Sequence, residues 1–119
     1  MDKTQSINSQ TTLITNELKR LEIPIFNSVV YFYRGKLEDF RDLLLKEKLP
    51  EISLNQDNAD GLSFDFGCYQ AVWVDQNASA ATKVHELLHA VLNICDNHGI
   101  DRDDDEVLCY LLEYLVKNL

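Results

Sequence analysis

The residues with the clearest chemical potential run from His85 to His89 and read His-Glu-Leu-Leu-His. On an α-helix, residues four apart lie one turn apart on the same face, so both imidazoles can hold a single metal ion. Glu86 can then accept a proton from a water molecule whose pKa the ion has lowered to about 7. The motif predicts a Zn²⁺ site with His85 and His89 as ligands and Glu86 as the catalytic base.

The apolar residues around the motif also follow helical spacing. They form a broad stripe made up of Val84, Leu87, Leu88, Val91, Leu92 and Cys95. Such a stripe predicts a helix with one face packed in a hydrophobic core. Two half-buried histidines with ordinary hydrogen-bond partners are the simpler interpretation, but the pair with its glutamate favours a metal site.

A zinc site of this kind needs a third protein ligand. Gly99 predicts the end of the motif helix, and the acidic residues 101–105 predict the start of a second helix that reaches about Asn118. The two helices are expected to be antiparallel. Glu106 and Glu113 lie two turns apart on the second helix, and either carboxylate can point back at the histidines.

The stretch from Lys83 to Asn118 resembles the small HExxH proteins of bacteriophages, which are minimal zincins. The residues that carry the resemblance are His85 to Ala90, Gly99, Glu106-Val107, Leu111, Leu115 and Asn118. The resemblance implies a zinc metallopeptidase, and in the wider gluzincin clan the third ligand is a glutamate near the start of the following helix. It therefore implies Glu106 as the third ligand, with Glu113 as the alternative.

The segment from Gly67 to Asp75 resembles the edge strand that lines the cleft of such proteins. An edge strand can bind an extended peptide by adding it to the sheet, so the resemblance implies a peptide or protein substrate held along Tyr69, Ala71 and Trp73. Packing of this strand on a helix is an equally good interpretation.

Hydrolysis of a peptide bond also needs a hydrogen-bond donor for the developing oxyanion. Tyr110 and Tyr114 are the candidates on the second helix, and Tyr69 and His98 are others. For His98, a position at a helix C-terminus, where the dipole favours it, is the simpler interpretation.

The remaining pattern predicts an α+β fold with a small, mostly antiparallel sheet covered by helices on one face. Strands are expected at 29–33, 52–54, 62–66 and 69–74, with helices at 13–21 and 36–48 before the motif helix. Residues 1–12 are polar and are expected to be a disordered tail, and residues 13–119 are expected to form one domain.

The chain has a formal net charge of −9, which argues against binding nucleic acid through phosphates. An acidic protein that binds a host or basic partner, with a structural or vestigial metal site, is therefore the alternative function. The sequence has no long apolar run, which argues against both a membrane span and a signal peptide. Three cysteines, read as buried free thiols, favour a cytoplasmic location, in a bacterial host if the protein is phage-encoded.

Overall fold

The computed structural model describes residues 16–55 and 58–119, and this part of the chain forms four β-strands and three α-helices. In chain order the elements are β1 (Lys19–Ile23), a 3₁₀ turn (Pro24–Phe26), β2 (Ser28–Arg34), α1 (Leu37–Lys46), β3 (Gly61–Asp65), β4 (Tyr69–Val74), α2 (Ala80–Asn97) and α3 (Asp105–Asn118).

The four strands form one sheet in the order β1-β2-β4-β3. The β1–β2 and β3–β4 pairs are antiparallel, and β2 runs parallel to β4, with Val30 opposite Gln70. A parallel pair needs a crossover, and here α1 and β3 lie within it. The prediction of an α+β fold with a small, mostly antiparallel sheet is confirmed.

Helices pack on both faces of the sheet. Alternate residues of β2 and β4 point to opposite sides, so Val30 and Val72 face α2 and α3 whereas Tyr31 and Trp73 face α1. The prediction that helices cover one face only is therefore wrong. Two cores result because both faces of the central strands are apolar.

Local signals explain where the two C-terminal helices begin. Ser79 caps α2 by accepting a hydrogen bond from Thr82 N, and Asp104 caps α3 by accepting one from Val107 N. Gly99 follows α2 with φ +69°, a left-handed conformation that glycine adopts without strain. The helix α3 packs on α2, as predicted, with Leu111 and Leu115 in the shared core.

Two predicted elements differ from the structure. Leu21, expected in a helix over 13–21, lies on β1 because pairing with Val30 overrides its local helical pattern. Residues 13–15 of that prediction, and the predicted tail 1–12, lie outside the described residues. The strand expected at 52–54 is irregular loop, with Ile52 buried and Leu54 exposed.

Cys95 is buried, and this burial raises the pKa of its thiol, whereas Cys68 and Cys109 are exposed. The expectation of three buried thiols is therefore wrong for two of them. In the described part of the chain, no helix is both long and apolar enough to cross a membrane.

Candidate metal centre and cleft

The histidine pair lies on the middle turns of α2, with both side chains exposed. The ring centroids of His85 and His89 are 4.9 Å apart and meet edge to face. The His85 side chain is 67% exposed, so an ion or a substrate can reach the pair from solvent. The structure thus confirms that the two imidazoles share one accessible face of a helix.

Glu86 differs from its neighbours because it is buried, at 9% relative exposure. Its Oε1 accepts a hydrogen bond from Ser63 Oγ on β3 at 3.4 Å, and its Oε2 lies 4.0 Å from Nε2 of His85. Burying a carboxylate costs free energy unless polar partners compensate it. The side chain is therefore held between α2 and β3, with one oxygen directed toward the histidines.

Gly61 permits this close approach of β3 to α2. A Cβ atom at position 61 would lie 2.8 Å from Cγ of Glu86, 3.0 Å from Cγ2 of Thr82 and 3.2 Å from the carbonyl oxygen of Trp73. Contacts this short are not tolerated without movement, so only glycine fits here. The predicted strand began at position 62, so the packing role of Gly61 was missed. A glycine that opens a strand is the signal that was available.

A cleft of about 460 Å³ lies between β3 and α2. Its walls are formed by Gly61, Leu62, Ser63, Asp65, Glu86, His89 and Asn93. The predicted base Glu86 and the predicted ligand His89 therefore face the same space, next to the edge strand β3.

A polar network holds the far end of this cleft. The fully buried Gln70 donates to Asp65 Oδ1 at 2.8 Å and accepts from Asn93 Nδ2 at 3.0 Å, and Asn97 also donates to Asp65 Oδ1 at 3.1 Å. Burial by itself would raise the pKa of Asp65, but the bonds from Gln70, Gly67 N and Asn97 outweigh it and lower this pKa below its usual range. The network ties the β3–β4 turn to α2.

The structure does not bring either predicted third ligand to the histidines. Glu113 lines a groove beside Pro24, and Glu106, seven residues earlier, is exposed on the same face of α3. Leu111 and Leu115 are the buried residues of α3, and its partly buried residues Val107, Leu108 and Leu112 pack against the same core. This leaves both glutamates on another side of the helix. Within residues 16–55 and 58–119, no three His, Cys, Asp or Glu side chains are grouped so that they could hold a metal ion.

The prediction that Tyr69, Ala71 and Trp73 form a cleft-lining edge strand is wrong. They lie on β4, which is paired on both sides, and the strand at the edge beside α2 is β3. Ala71 and Trp73 belong to the core on the α1 side, and Trp73 Nε1 donates to the Gly35 carbonyl at 2.9 Å. Trp73 is thus a core residue, whereas Tyr69, at the start of β4, is partly exposed and stacks on Tyr31.

The predicted oxyanion donors also lie away from the cleft. Tyr110 and Tyr114 line the groove beside the 3₁₀ turn, next to β1, and β1 and β3 are opposite edges of the sheet. Tyr114 Oη donates to the Glu22 carbonyl at 3.4 Å. Neither tyrosine faces the space shared by Glu86 and His89.

No family model, curated protein or solved structure matches the chain. What the protein does is therefore inferred from its own residues and their arrangement.

Proposed function

We propose that this protein is a metal-dependent peptide hydrolase with His85 and His89 as metal ligands and Glu86 as the catalytic base. One observation carries the proposal above all. Glu86 is buried between α2 and the edge strand β3, and its Oε2 lies 4.0 Å from Nε2 of His85. A carboxylate that only packed in a core would cost free energy without any benefit, whereas a base must be held beside the reacting atoms.

The donor set suits an ion of the zinc type. His85 and His89 present imidazole nitrogens on one exposed face, and nitrogen ligands favour Zn²⁺, although cobalt, nickel or iron fit the same donors. Glu106 and Glu113 do not fit as further ligands in this arrangement, so the proposed site has two protein ligands, one fewer than the motif predicted. The remaining coordination positions are left to solvent and substrate. When bound, the ion would acidify water and polarise a substrate carbonyl.

Glu86 performs the proton transfers in this proposal. Its carboxylate takes a proton from the attacking water and later passes one to the leaving amine. The hydrogen bond from Ser63 Oγ orients the carboxylate, and Gly61 leaves room for it against the strand. The groups that position the base thus come from β3, and the ligands come from α2.

The edge of β3 is the place where an extended peptide can bind. Backbone groups on the outer edge of a terminal strand can pair with an added strand, and the cleft runs between that strand and α2. A peptide bound there would lie along the wall that carries Ser63 and face Glu86. This geometry supports a peptide substrate, with β3 in the role first assigned to β4.

Binding of a basic partner through the acidic surface is the other class of function considered. The acidic residues at the end of α2 and after it already have local roles in the structure. Asp101 accepts from Asp103 N, Asp104 caps α3, and Asp96 pairs with Arg102 at 2.6 Å. These roles explain the acidic run without a partner, so the hydrolase is the better supported proposal.

The test compares wild type with Glu86→Gln, using Zn²⁺-loaded protein and a mixed peptide library analysed by mass spectrometry. We expect cleavage by the wild type and a loss of about 10²–10⁴-fold in the variant, because the amide cannot accept the proton. Metal affinity, measured by competition with a chelating dye, is expected to be the same in both proteins.

Glu38→Gln is the matched control, because Glu38 is an exposed carboxylate on α1, on the other side of the sheet. It should cleave like the wild type. Equal cleavage by Glu86→Gln and the wild type would refute the assignment of Glu86 as base. Absence of Zn²⁺ binding by the wild type would refute the proposed function.

A further inference from the structure

An apolar groove of about 680 Å³ lies beside the end of β1, at the opposite edge of the sheet from the cleft. It lies between the 3₁₀ turn and α3, and its walls include Pro24, Phe26, Val107 and Tyr110. Ile25 is 89% exposed and Tyr110 is 66% exposed. Large apolar side chains that are exposed side by side mark a surface that binds another molecule.

The 3₁₀ turn presents Ile25 in a fixed position. Pro24 restricts the backbone at the first residue of the turn, and Asn27 closes the turn in a left-handed conformation with its N–H donating to the Pro24 carbonyl at 3.2 Å. A protruding isoleucine thus lies directly beside an apolar groove. A knob and a matching groove on one surface are what a two-fold symmetric contact requires, because the same patch must serve both subunits.

The charged residues of the groove indicate the same kind of partner. Glu113 and Lys117 both line it and lie one turn apart on α3. If two copies of α3 cross in antiparallel orientation, Glu113 of each faces Lys117 of the partner subunit. The contact therefore contains two pairs of opposite charges, although each chain as a whole carries a net charge of −9.

We propose that this groove is the interface of a homodimer, in which Ile25 of each subunit enters the groove of the other and Glu113 pairs with Lys117 of the partner subunit. The interface uses the 3₁₀ turn and α3. It leaves the β3 edge and the cleft of both subunits open to solvent, so the dimer is compatible with hydrolysis but does not depend on it.

The first test is sedimentation equilibrium of the full chain without metal, from about 1 to 100 µM, the range of ordinary transient dimers. We expect the wild type to approach the dimer mass and Ile25→Asp to stay monomeric. Ile25 is so exposed that its substitution leaves the monomer fold intact, which circular dichroism verifies. Leu45→Asp, at a position 43% exposed on α1, is the matched control and should dimerise normally. A monomeric wild type, or equal association of both variants, would overturn the proposal.

The second test reverses the charges. Lys117→Glu and Glu113→Lys should each weaken dimerisation by on the order of tenfold, because each places like charges together twice. The double variant Glu113→Lys/Lys117→Glu should restore it, and Lys46→Glu, which makes the same charge change on α1, should have little effect. If the double variant did not recover dimerisation, the antiparallel pairing would be overturned. If another segment of the chain or a foreign protein filled the groove instead, the wild type would be monomeric.

Discussion

The two edges of the sheet are built in opposite ways. At the β3 edge, a buried carboxylate, a close-packed glycine and a network of amide side chains surround a polar cleft. At the β1 edge, Ile25 and Tyr110 stand exposed around an apolar groove. The first edge buries groups that prefer water, and the second exposes groups that avoid it. Each therefore departs from what stability alone would favour.

The difference indicates different tasks. Buried polar groups such as Glu86 and Gln70 must be positioned accurately, because each loses solvation that only well-placed partners restore. Such an edge suits chemistry on a small bound group. An exposed apolar edge gains its free energy only when another surface covers it, which suits association. Substitutions that act on one edge and spare the other test this distinction.

The largest effect is expected from two histidines, one near each edge. His89 is exposed in the cleft, whereas His98 donates a hydrogen bond from Nδ1 to the Ile94 carbonyl at 2.9 Å and packs on Phe26 of the groove, with ring centroids 5.4 Å apart. His89→Ala should weaken Zn²⁺ binding by at least about 100-fold, because one of the two proposed protein ligands is lost. His98→Ala should bind Zn²⁺ like the wild type.

In the metal-free proteins, the free energy of unfolding should be affected more by His98→Ala than by His89→Ala. His98→Ala loses a hydrogen bond and a ring contact and should unfold about 1 kcal/mol more easily, while the exposed His89→Ala should stay within about 0.5 kcal/mol of wild type. Chelator competition and urea denaturation give the two readings. Equal loss of metal in both variants would show that the ion does not bind at the α2 pair.

The next effect concerns the contact between β3 and α2. Gly61→Ala should cost about 1–3 kcal/mol, because the new Cβ overlaps Glu86 and Thr82 and crowds the Trp73 carbonyl. In a Glu86→Ala background the same substitution should cost less by at least about 0.5 kcal/mol, since its closest contact is gone. Urea denaturation of the four proteins measures this coupling. If the changes in unfolding free energy caused by the two substitutions were strictly additive, Gly61 would not be packed against Glu86. Dimerisation should be the same in all four proteins.

Much of the local structure could be predicted from the sequence, because periodicity reports on burial. The alternation of Leu62 and Phe64 predicted β3, and the helical stripe around Leu87 and Val91 predicted α2. The two histidines followed from the same helix, since their spacing alone places them on one face. Predictions that depend on neighbours in the chain therefore succeeded for β3 and α2, but they failed at Leu21, which pairs with Val30 on a strand, and at 52–54, which is loop.

The arrangement of these elements could not be predicted in the same way. Whether β3 or β4 forms the edge depends on the parallel pairing of β4 with β2, which joins Val29 to Tyr69 across forty residues of chain. The contact of Gly61 with Glu86 likewise joins two elements by packing alone. Leucines of α3 such as Leu111 pack into the core, and this packing sets which side of the helix carries Glu106 and Glu113. The expectation that one of these glutamates points back at the histidines was therefore wrong.

The smallest effect should distinguish two carboxylates, Asp65 and Asp96, by what lowers the pKa of each. At the cleft, burial opposes the lowering of the Asp65 pKa, and the bonds from Gln70, Gly67 N and Asn97 produce it. At the end of α2, the pKa of Asp96 is lowered mainly by the hydrogen bond from Arg102 and also by the charge of Arg102. Uncharged donors are insensitive to salt, whereas an exposed ion pair is screened.

Raising the salt from about 0.1 to about 1 M shortens the screening length from roughly 10 to 3 Å and should move the Asp96 pKa up toward its usual value. The Asp65 pKa should stay low or fall further, because the nearby Asp96 charge raises it and that repulsion is screened. Carbon NMR of the two carboxyl groups follows both titrations. A folded pKa below the unfolded value of about 3.9 stabilises the protein above that pH, and the stabilisation is lost as pH falls through the folded pKa. In Asp65→Asn the free energy of unfolding should therefore fall less steeply at acid pH, at both salt concentrations. A rise of the Asp65 pKa with salt would show that ion pairing, rather than the amide network, stabilises the cleft.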